Sequence, residues 1–376
     1  MLELLLIVIL IFLLLFYGGY AIFGLAYGKV AFYKGNDIFV PTVSLVIPTC
    51  DEEATIFRKI DNLLEIDYPK GKLEIIFVDS SRDKTAEIIQ NFMHNAPIHV
   101  SMLSEPQRKG LAAALNQGYA AASGEIIIKS DCDMILRKDF VKSIVTYFSN
   151  QKIGAVSGAI EVLNSYGTEV GYRTIFEKLR LAEANLDSTY VFNAFAFRSR
   201  LVESIDERSV ADDAELALKI RKKGYKTVYA PDAIIYETSP TQLRARIKQK
   251  SRRAQGHIRL AFQNRGILFN PRYGKFGLFI FPANFFMVIV LPWLILFWVL
   301  LAGFELFRFM YPFSIFILPA LAILLSIMYA ESKPKLFAGF VEAQLSLIVA
   351  AVTILVFGPQ FSWRRIPSEK KSNQSA

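Results

Sequence analysis

From Leu4 to Gly28 the chain carries no charged residue. A helix needs roughly 20 apolar residues to cross the hydrocarbon of a bilayer, so this run commits the chain to folding beside a membrane. A secretory signal would bring a basic leading segment and a shorter apolar core. Here Glu3 is the only charge ahead of the run, and an uncleaved transmembrane helix is expected over residues 1–28. Three more apolar segments follow, at about Phe276–Phe304, Tyr311–Tyr329 and Leu336–Phe357; they explain a hydrophobic content of 53% and a mean hydropathy of +0.33. Three such segments in a row argue against buried helices of a soluble domain. Residues 276–358 are therefore expected to form about three transmembrane or interfacial helices. Pro282 and Pro292 should mark kinks or an interfacial section, and Glu342 with Gln344 should face protein or lie partly at the interface.

The net charge of +9 is unevenly placed. No acidic residue occurs between Thr238 and Phe304, whereas ten basic residues lie between Arg244 and Lys275. A basic window of this kind suits nucleic acid. Its position just before an apolar segment favours the cytoplasmic membrane surface and anionic lipid or phosphate. The positive-inside rule then places residues of about 29–275 in the cytoplasm, with 241–275 as a basic interfacial helix region. Four simple crossings would leave the basic polar tail, 359–376, outside against that rule. Either one C-terminal segment fails to cross or the tail is an exception. The two cysteines, Cys50 and Cys132, offer no framework for disulfides or thiolate metal sites.

Between residues 40 and 240 the pattern changes to short apolar strands alternating with helices. Strands are expected at Val43–Ile47, closed by Pro48, at Leu73–Val78 ending in Asp79, at Ile98–Leu103, and over the run from Glu125 to Ser130. Helices are expected at Glu52–Ile66, with Ile56, Ile60, Leu63 and Leu64 on one face, at Thr85–Met93 and at Leu111–Ala122. This alternation is that of an α/β domain with a parallel sheet, and open parallel sheets bind ligands at the carboxyl ends of their strands.

At one such end stands Asp131-Cys132-Asp133. Residues i and i+2 of an extended segment point the same way, so both carboxylates can face one hard cation, Mg²⁺ or Mn²⁺, that shares its sphere with phosphates. A solvated turn is the bland alternative. Asp79 suits a ribose or base contact, or equally a cap or turn. Lys109 opens a helix where a diphosphate would fit, as would any exposed lysine after a turn. Asp212 and Asp213 enter a helix near Val210–Leu216, either as dipole-stabilising caps or with one as the base that takes a hydroxyl proton. Gln249 and Arg252 are three residues apart on one helical face, where an Arg can neutralise a leaving diphosphate.

In this order the pieces resemble a membrane-integrated family 2 glycosyltransferase of the cellulose-synthase-like type. The resemblance spans about Val43–Gly256 and rests on six segments: Val46-Ile47-Pro48 with Asp51-Glu52-Glu53; Val78-Asp79-Ser80-Ser81; Lys109-Gly110; Asp131-Cys132-Asp133; Ala211-Asp212-Asp213; and Gln249-x-x-Arg252-Arg253. It implies a GT-A fold, Rossmann-like with a mixed central sheet, and inverting transfer from a nucleotide-diphosphate sugar to a lipid-linked acceptor. It also implies roles. Pro48, Asp51, Glu52, Asp79 and Lys109 would line the donor edge, and Asp131 and Asp133 would hold Mg²⁺ or Mn²⁺. Asp213 would be the base. Gln249, Arg252 and Arg253 would face the leaving diphosphate or a lipid headgroup. The chain departs from the family's usual pattern in having Asp51 for Asn, Asp212 for Glu and Arg253 for Trp. The last change points to single-sugar transfer rather than polymer synthesis.

Overall fold

A computed structural model describes residues 1–29, 33, 35–163, 167–190, 195–202, 204–238, 240, 242–310, 326 and 336–358. The elements are α1 (Leu2–Tyr27), β1 (Val43–Thr49), α2 (Ile56–Leu64), β2 (Leu73–Asp79), α3 (Thr85–Asn95), β3 (His99–Ser104), α4 (Leu111–Ala121), β4 (Ile126–Lys129), β5 (Ile135–Leu136) and α5 (Phe140–Thr146). They continue with β6 (Ile153–Val162), α6 (Gly167–Leu186), β7 (Phe195–Arg198), α7 (Asp212–Lys222), β8 (Lys226–Glu237), α8 (Leu243–Gln263), α9 (Phe281–Phe285), α10 (Leu291–Met310) and α11 (Leu336–Phe357).

The eight strands form one sheet in the order β3-β2-β1-β4-β7-β6-β8-β5. β1 to β4 are mutually parallel, whereas β7 runs antiparallel to both β4 and β6, giving the mixed sheet of a GT-A domain. The near-continuous apolar runs of β1, β2 and β4 are buried on both faces, as parallel strands covered by helices must be. On one face, Leu45, Ile47, Phe77 and Ile128 pack with α2, α3 and α5; on the other, Val46, Ile76, Val78 and Ile127 meet the small residues of α4. Gly118 lets α4 approach closely, because a Cβ there would stand 2.3 Å from Val46 Cγ1.

Two expectations are corrected. β1 runs through Pro48 to Thr49 instead of closing at Ile47, with Pro48 opposite Val78. The β1–β4 ladder ends at Val46–Lys129, so the amide hydrogen that Pro48 lacks has no ladder bond to make. Helix α2 starts at Ile56 rather than Glu52, because Asp51 takes φ +54° and the chain turns there. Ile56, Ile60 and Leu63 are buried as expected, but Leu64 is exposed.

Among the described residues, three helices are long and apolar enough to cross a membrane: Leu2–Tyr27, Phe276–Phe309 and Phe337–Phe357. The expected segment at Tyr311–Tyr329 lies outside the described residues, Ser326 apart. In the second helix, π-turns at Phe276–Ile280 and Phe286–Val290 each end two residues before a proline, Pro282 or Pro292. Proline clashes with the carbonyl four residues back, and the wider turn moves that carbonyl aside, so the helix continues over 34 residues. Helix α6 ties the α/β domain to these segments. Its buried Glu183 accepts hydrogen bonds from Tyr20 of α1, from Asn284 Nδ2 of α9 at 2.6 Å and from Thr189 Oγ1 at 3.0 Å.

Candidate active site

The carboxyl ends of β1, β2 and β4 lie side by side and bring Thr49, Asp79 and Ser130 to one edge. Asp79 is buried and held by its own loop. Its Oδ1 accepts from Thr49 Oγ1 at 2.7 Å and Ser81 Oγ at 2.6 Å, and its Oδ2 from Ser81 N at 3.2 Å. The turn role foreseen for Asp79 is thus realised. Asp51 closes the neighbouring loop, donating its backbone N–H to Ser81 Oγ and accepting from Arg82 N, each at 2.8 Å. Glu52 N donates to Thr85 Oγ1 at 2.9 Å. Pro48 contributes the last rigid step of β1 to this edge. On the far side of Asp79, Glu105 N donates to the Asp79 carbonyl at 2.7 Å. Lys109 is exposed and lines a cavity of about 400 Å³ with Glu105, Asn116 and Gln117. Lys109 therefore stands on the Asp79 side of the edge.

Asp131 and Asp133 do sit together, but not through strand alternation. β4 ends at Lys129, and residues 131–134 form a turn closed by Met134 N donating to the Asp131 carbonyl at 3.2 Å. The buried Lys59 of α2 holds that turn from beneath, donating to Ser130 Oγ at 2.6 Å and the Met134 carbonyl at 2.7 Å. Burial lowers the Lys59 ammonium to about 8, against the opposing pull of Cys132, Asp131 and Asp133. The Cys132 thiol is buried and pushed up to about 12 by desolvation and by Glu52, so it is no nucleophile.

The surrounding protein and the charges of Asp131, Glu237 and Glu52 push the Asp133 carboxyl up to about 6. That is a surplus of oxygen-borne negative charge, which a hard divalent cation relieves. Among the described residues no group of three His, Cys, Asp or Glu side chains is placed to enclose a metal. Two carboxylates with an open remainder fit an ion that completes its sphere with phosphate oxygens and water.

Asp212 and Asp213 open α7, but Asp212 does not cap it. Its Oδ2 accepts from Lys129 Nζ at 2.7 Å, and Lys129 also stands 3.6 Å from Asp131 Oδ1. Burial would lower the Lys129 ammonium, yet Asp131, Asp212 and Asp213 outweigh it and hold it well above the usual lysine value. Asp213 accepts from Ala214 N at 2.8 Å. Its carboxyl is raised to about 6 by burial and by Asp212, against Lys129, the Ala214 amide and Arg253.

Helix α8 completes the edge. Arg252 is half-buried, its guanidinium lowered by burial and Arg253 and raised by Asp131 and Asp133. Arg253 donates to Glu237 Oε1 at 3.3 Å, and Glu237, Asp213 and Asp131 raise its guanidinium further. Gln249 is half-buried one helical turn before them. The structure thus gathers Asp131, Asp133, Asp213, Arg252 and Arg253 in one charged cluster. Lys59, Lys129 and Glu237 belong to the same cluster and were not foreseen. The placement of Lys129 at a strand end two residues before Asp131 was the only signal for it.

The basic face of α8 is less solvated than its composition suggests. Arg246 is buried and paired with Glu342 of α11, and Arg259 lies 3.7 Å from Asp206. Nucleic-acid binding, which needs a free basic face, gains nothing from this arrangement.

Known proteins agree with this architecture. The profile of "Glycosyl transferase family 2" matches residues 44–206, and that of "Glycosyl transferase family group 2" matches residues 126–330, more than half the chain. The chain is 28% identical over 272 residues to the probable glycosyltransferase YdaM of Bacillus subtilis (strain 168), covering 68% of this chain and 65% of that protein. It is 26% identical over 228 residues to the beta-monoglucosyldiacylglycerol synthase of Synechocystis sp. (strain ATCC 27184 / PCC 6803 / Kazusa), covering 57% of this chain and 48% of that protein. It is 29% identical over 228 residues to the poly-beta-1,6-N-acetyl-D-glucosamine synthase of Staphylococcus aureus (strain COL), covering 57% of this chain and 54% of that one. The chain therefore spans about half to two thirds of the length of these relatives. The solved mannosyltransferase PcManGT from Pyrobaculum calidifontis, in complex with GDP-Man and Mn²⁺, superposes with a TM-score of 0.79 at 25% identity, covering 95% of this chain and 99% of that one. Motif order, sheet topology and these matches agree that the chain belongs to the glycosyl transferase family 2 group, as a membrane-integrated member with a GT-A catalytic domain.

Proposed function

We propose that the chain is an inverting, metal-dependent hexosyltransferase that moves one sugar from a nucleotide-diphosphate donor, GDP-mannose or a UDP-hexose, to a lipid-linked acceptor. The observation that carries this reading is the cluster at one sheet edge: two carboxylates in a turn, a third with its carboxyl near 6 at a helix start, and two arginines between them.

Asp131 and Asp133 would hold Mg²⁺ or Mn²⁺, which when bound supplies a Lewis acid for the departing diphosphate. Asp213 is ionised at neutral pH and takes the proton of the acceptor hydroxyl as that oxygen bonds to the sugar carbon. The bond from that carbon to the diphosphate breaks on the opposite face, so the configuration inverts. Arg252 and Arg253 meet the charge that develops on the leaving group, and Gln249 lies beside them. Asp79 would contact the nucleoside, with Pro48, Asp51, Glu52 and Lys109 shaping that end. Lys129 holds Asp212 beside the base through its 2.7 Å ion pair. The apolar helices next to this edge would bring in the lipid acceptor, with the catalytic domain on the cytoplasmic side of the cell membrane.

The donor choice draws on the mannosyltransferase neighbour with GDP-Man and Mn²⁺, and the lipid acceptor on the glucosyldiacylglycerol synthase relative. A processive polysaccharide synthase is the second reading, supported by the poly-N-acetylglucosamine synthase relative. Arg253 in place of the family's usual Trp counts against it. Incubating membranes that contain the protein with labelled donor and Mn²⁺, then sizing the product, separates the two. One added hexose in the lipid extract supports the proposal, and a ladder of polymer contradicts it.

A further inference from the structure

Glu342 lies in α11, a helix of membrane-spanning length and composition, and is 1% exposed. Acidic residues are rare in such helices and are kept where their charge is answered. Here the answer comes from α8. Arg246 donates through Nη2 to Glu342 Oε1 at 2.8 Å and through Nε to Oε2 at 3.2 Å, the two-pronged geometry that fixes orientation as well as distance. Lys250, one turn on, donates to Oε2 at 3.1 Å. Farther along, the same two helices stay together, with Ala254 and Ile258 of α8 packed on Ala350 of α11.

An adjoining flank of α8 meets the start of α7. A Cβ on Gly256 would stand 2.8 Å from Ala211 Cβ and 2.9 Å from the Val210 carbonyl, directly before Asp212 and Asp213. At 3.6 residues per turn, Gln249, Arg252 and Gly256 share one flank of α8, while Arg246 and Lys250 occupy the adjoining one. The helix thus meets the acidic helix start on one flank and a membrane-segment carboxylate on the next. Helix packing alone would serve to anchor α11. A buried ion pair costs more to bury and is more specific in register.

We infer that Glu342 is a positioning residue: through Arg246 and Lys250 it sets where α8 presents Arg252 and Arg253 to the metal and base carboxylates, so that α11 takes part in turnover and not only in membrane attachment. The catalytic half of this statement rests on the glycosyltransferase reading proposed above; the mechanical half does not.

Two readouts on the full chain in detergent or nanodiscs test it. The first is hydrogen exchange of wild type and Glu342→Gln. Faster exchange across Leu243–Gln263 with an unchanged sheet is expected, and unchanged exchange in α8 overturns the inference whatever the enzyme does. The second is steady-state transfer. Because the displaced arginines act on the leaving group, kcat should fall about 10- to 100-fold while the KM for donor stays within about twofold. Arg246→Gln should give the same split, and the double variant should be no worse than either single one. Wild-type kcat in a protein that only melts lower, or losses that multiply in the double variant, would reduce Glu342 to an anchor. If Glu342→Gln does not fold, Glu342→Asp keeps the charge and withdraws it by one methylene. It should then show the same pattern at smaller amplitude, and wild-type behaviour in that variant also overturns the inference. Faster exchange in α8 of Glu342→Gln, together with a wild type that transfers no sugar to any acceptor, would reject the glycosyltransferase reading and leave the mechanical coupling standing.

Discussion

The ammonium of Lys129 donates to Asp212 Oδ2 at 2.7 Å, with the two side chains only 11% and 12% exposed. The same ammonium lies 3.6 Å from Asp131, so one lysine at the end of β4 links the carboxylate turn to the acidic start of α7. Truncating it leaves Asp212 buried without its cation, which costs about 3–5 kcal/mol when one partner of a buried pair is removed. Lys129→Met is therefore expected to melt well below wild type. Lys129→Met combined with Asp212→Asn should recover much of that loss. Thermal unfolding of the three variants checks both points.

Asp213 is the proposed base, with its carboxyl raised to about 6 chiefly by burial and by Asp212. Transfer should rise with pH through about 6 and level off above it. Asp213→Asn should lose on the order of 10²–10⁴ in rate while still binding donor. The stability effect runs the other way. A carboxyl raised in the folded state contributes stability that is full below its unfolded value and is lost as pH rises through about 6. Asp213→Asn should accordingly melt higher than wild type at pH 7.5, with the difference vanishing near pH 4. Rate profiles and melting curves over that range give the comparison.

Lys59 is buried beneath the site and fixes the turn that carries Asp131 and Asp133. Outer-shell partners of metal ligands typically alter affinity or activity by about 10- to 100-fold. For Lys59→Met the Mn²⁺ concentration giving half-maximal transfer should rise by about tenfold. Chelation should stop transfer by wild type, and added Mn²⁺ should restore it.

Gly256 permits the close approach of α8 to Val210 and Ala211. The atoms a Cβ would strike include a main-chain carbonyl that cannot rotate away, so Gly256→Ala must separate the helices. Overpacking of this kind costs about 1–3 kcal/mol. The variant should lose kcat more than donor affinity, which isothermal binding of a donor and initial rates together would establish.

Much of the architecture was legible because it rests on local pattern. Apolar runs of β1, β2 and β4, the small-residue helix α4 and the apolar N-terminal helix each carry their own periodicity or length. The misses have physical reasons. Pro48 reads as a strand end until the short partner β4 is seen to leave its ladder position empty. The start of α2 depends on the left-handed backbone of Asp51, which side-chain spacing does not reveal. Asp131 and Asp133 were foreseen as a pair, although a turn rather than a pleat brings them together. Lys59 is 71 residues from Ser130, and Glu342 is 96 from Arg246; no local pattern couples positions so far apart. Arg246 therefore read as one more charge in a solvated basic window, when it is buried in an ion pair.

If Asp131 and Asp133 form a metal-diphosphate site, donor binding depends on the metal and on both carboxylates. Thermal unfolding of the detergent-solubilised protein would be followed across a panel of GDP- and UDP-sugars, with and without Mn²⁺, beside Asp131→Asn. Stabilisation by one nucleotide sugar that requires Mn²⁺ and disappears in the variant is expected. Folded wild-type protein that no donor stabilises, with metal or without, would contradict it.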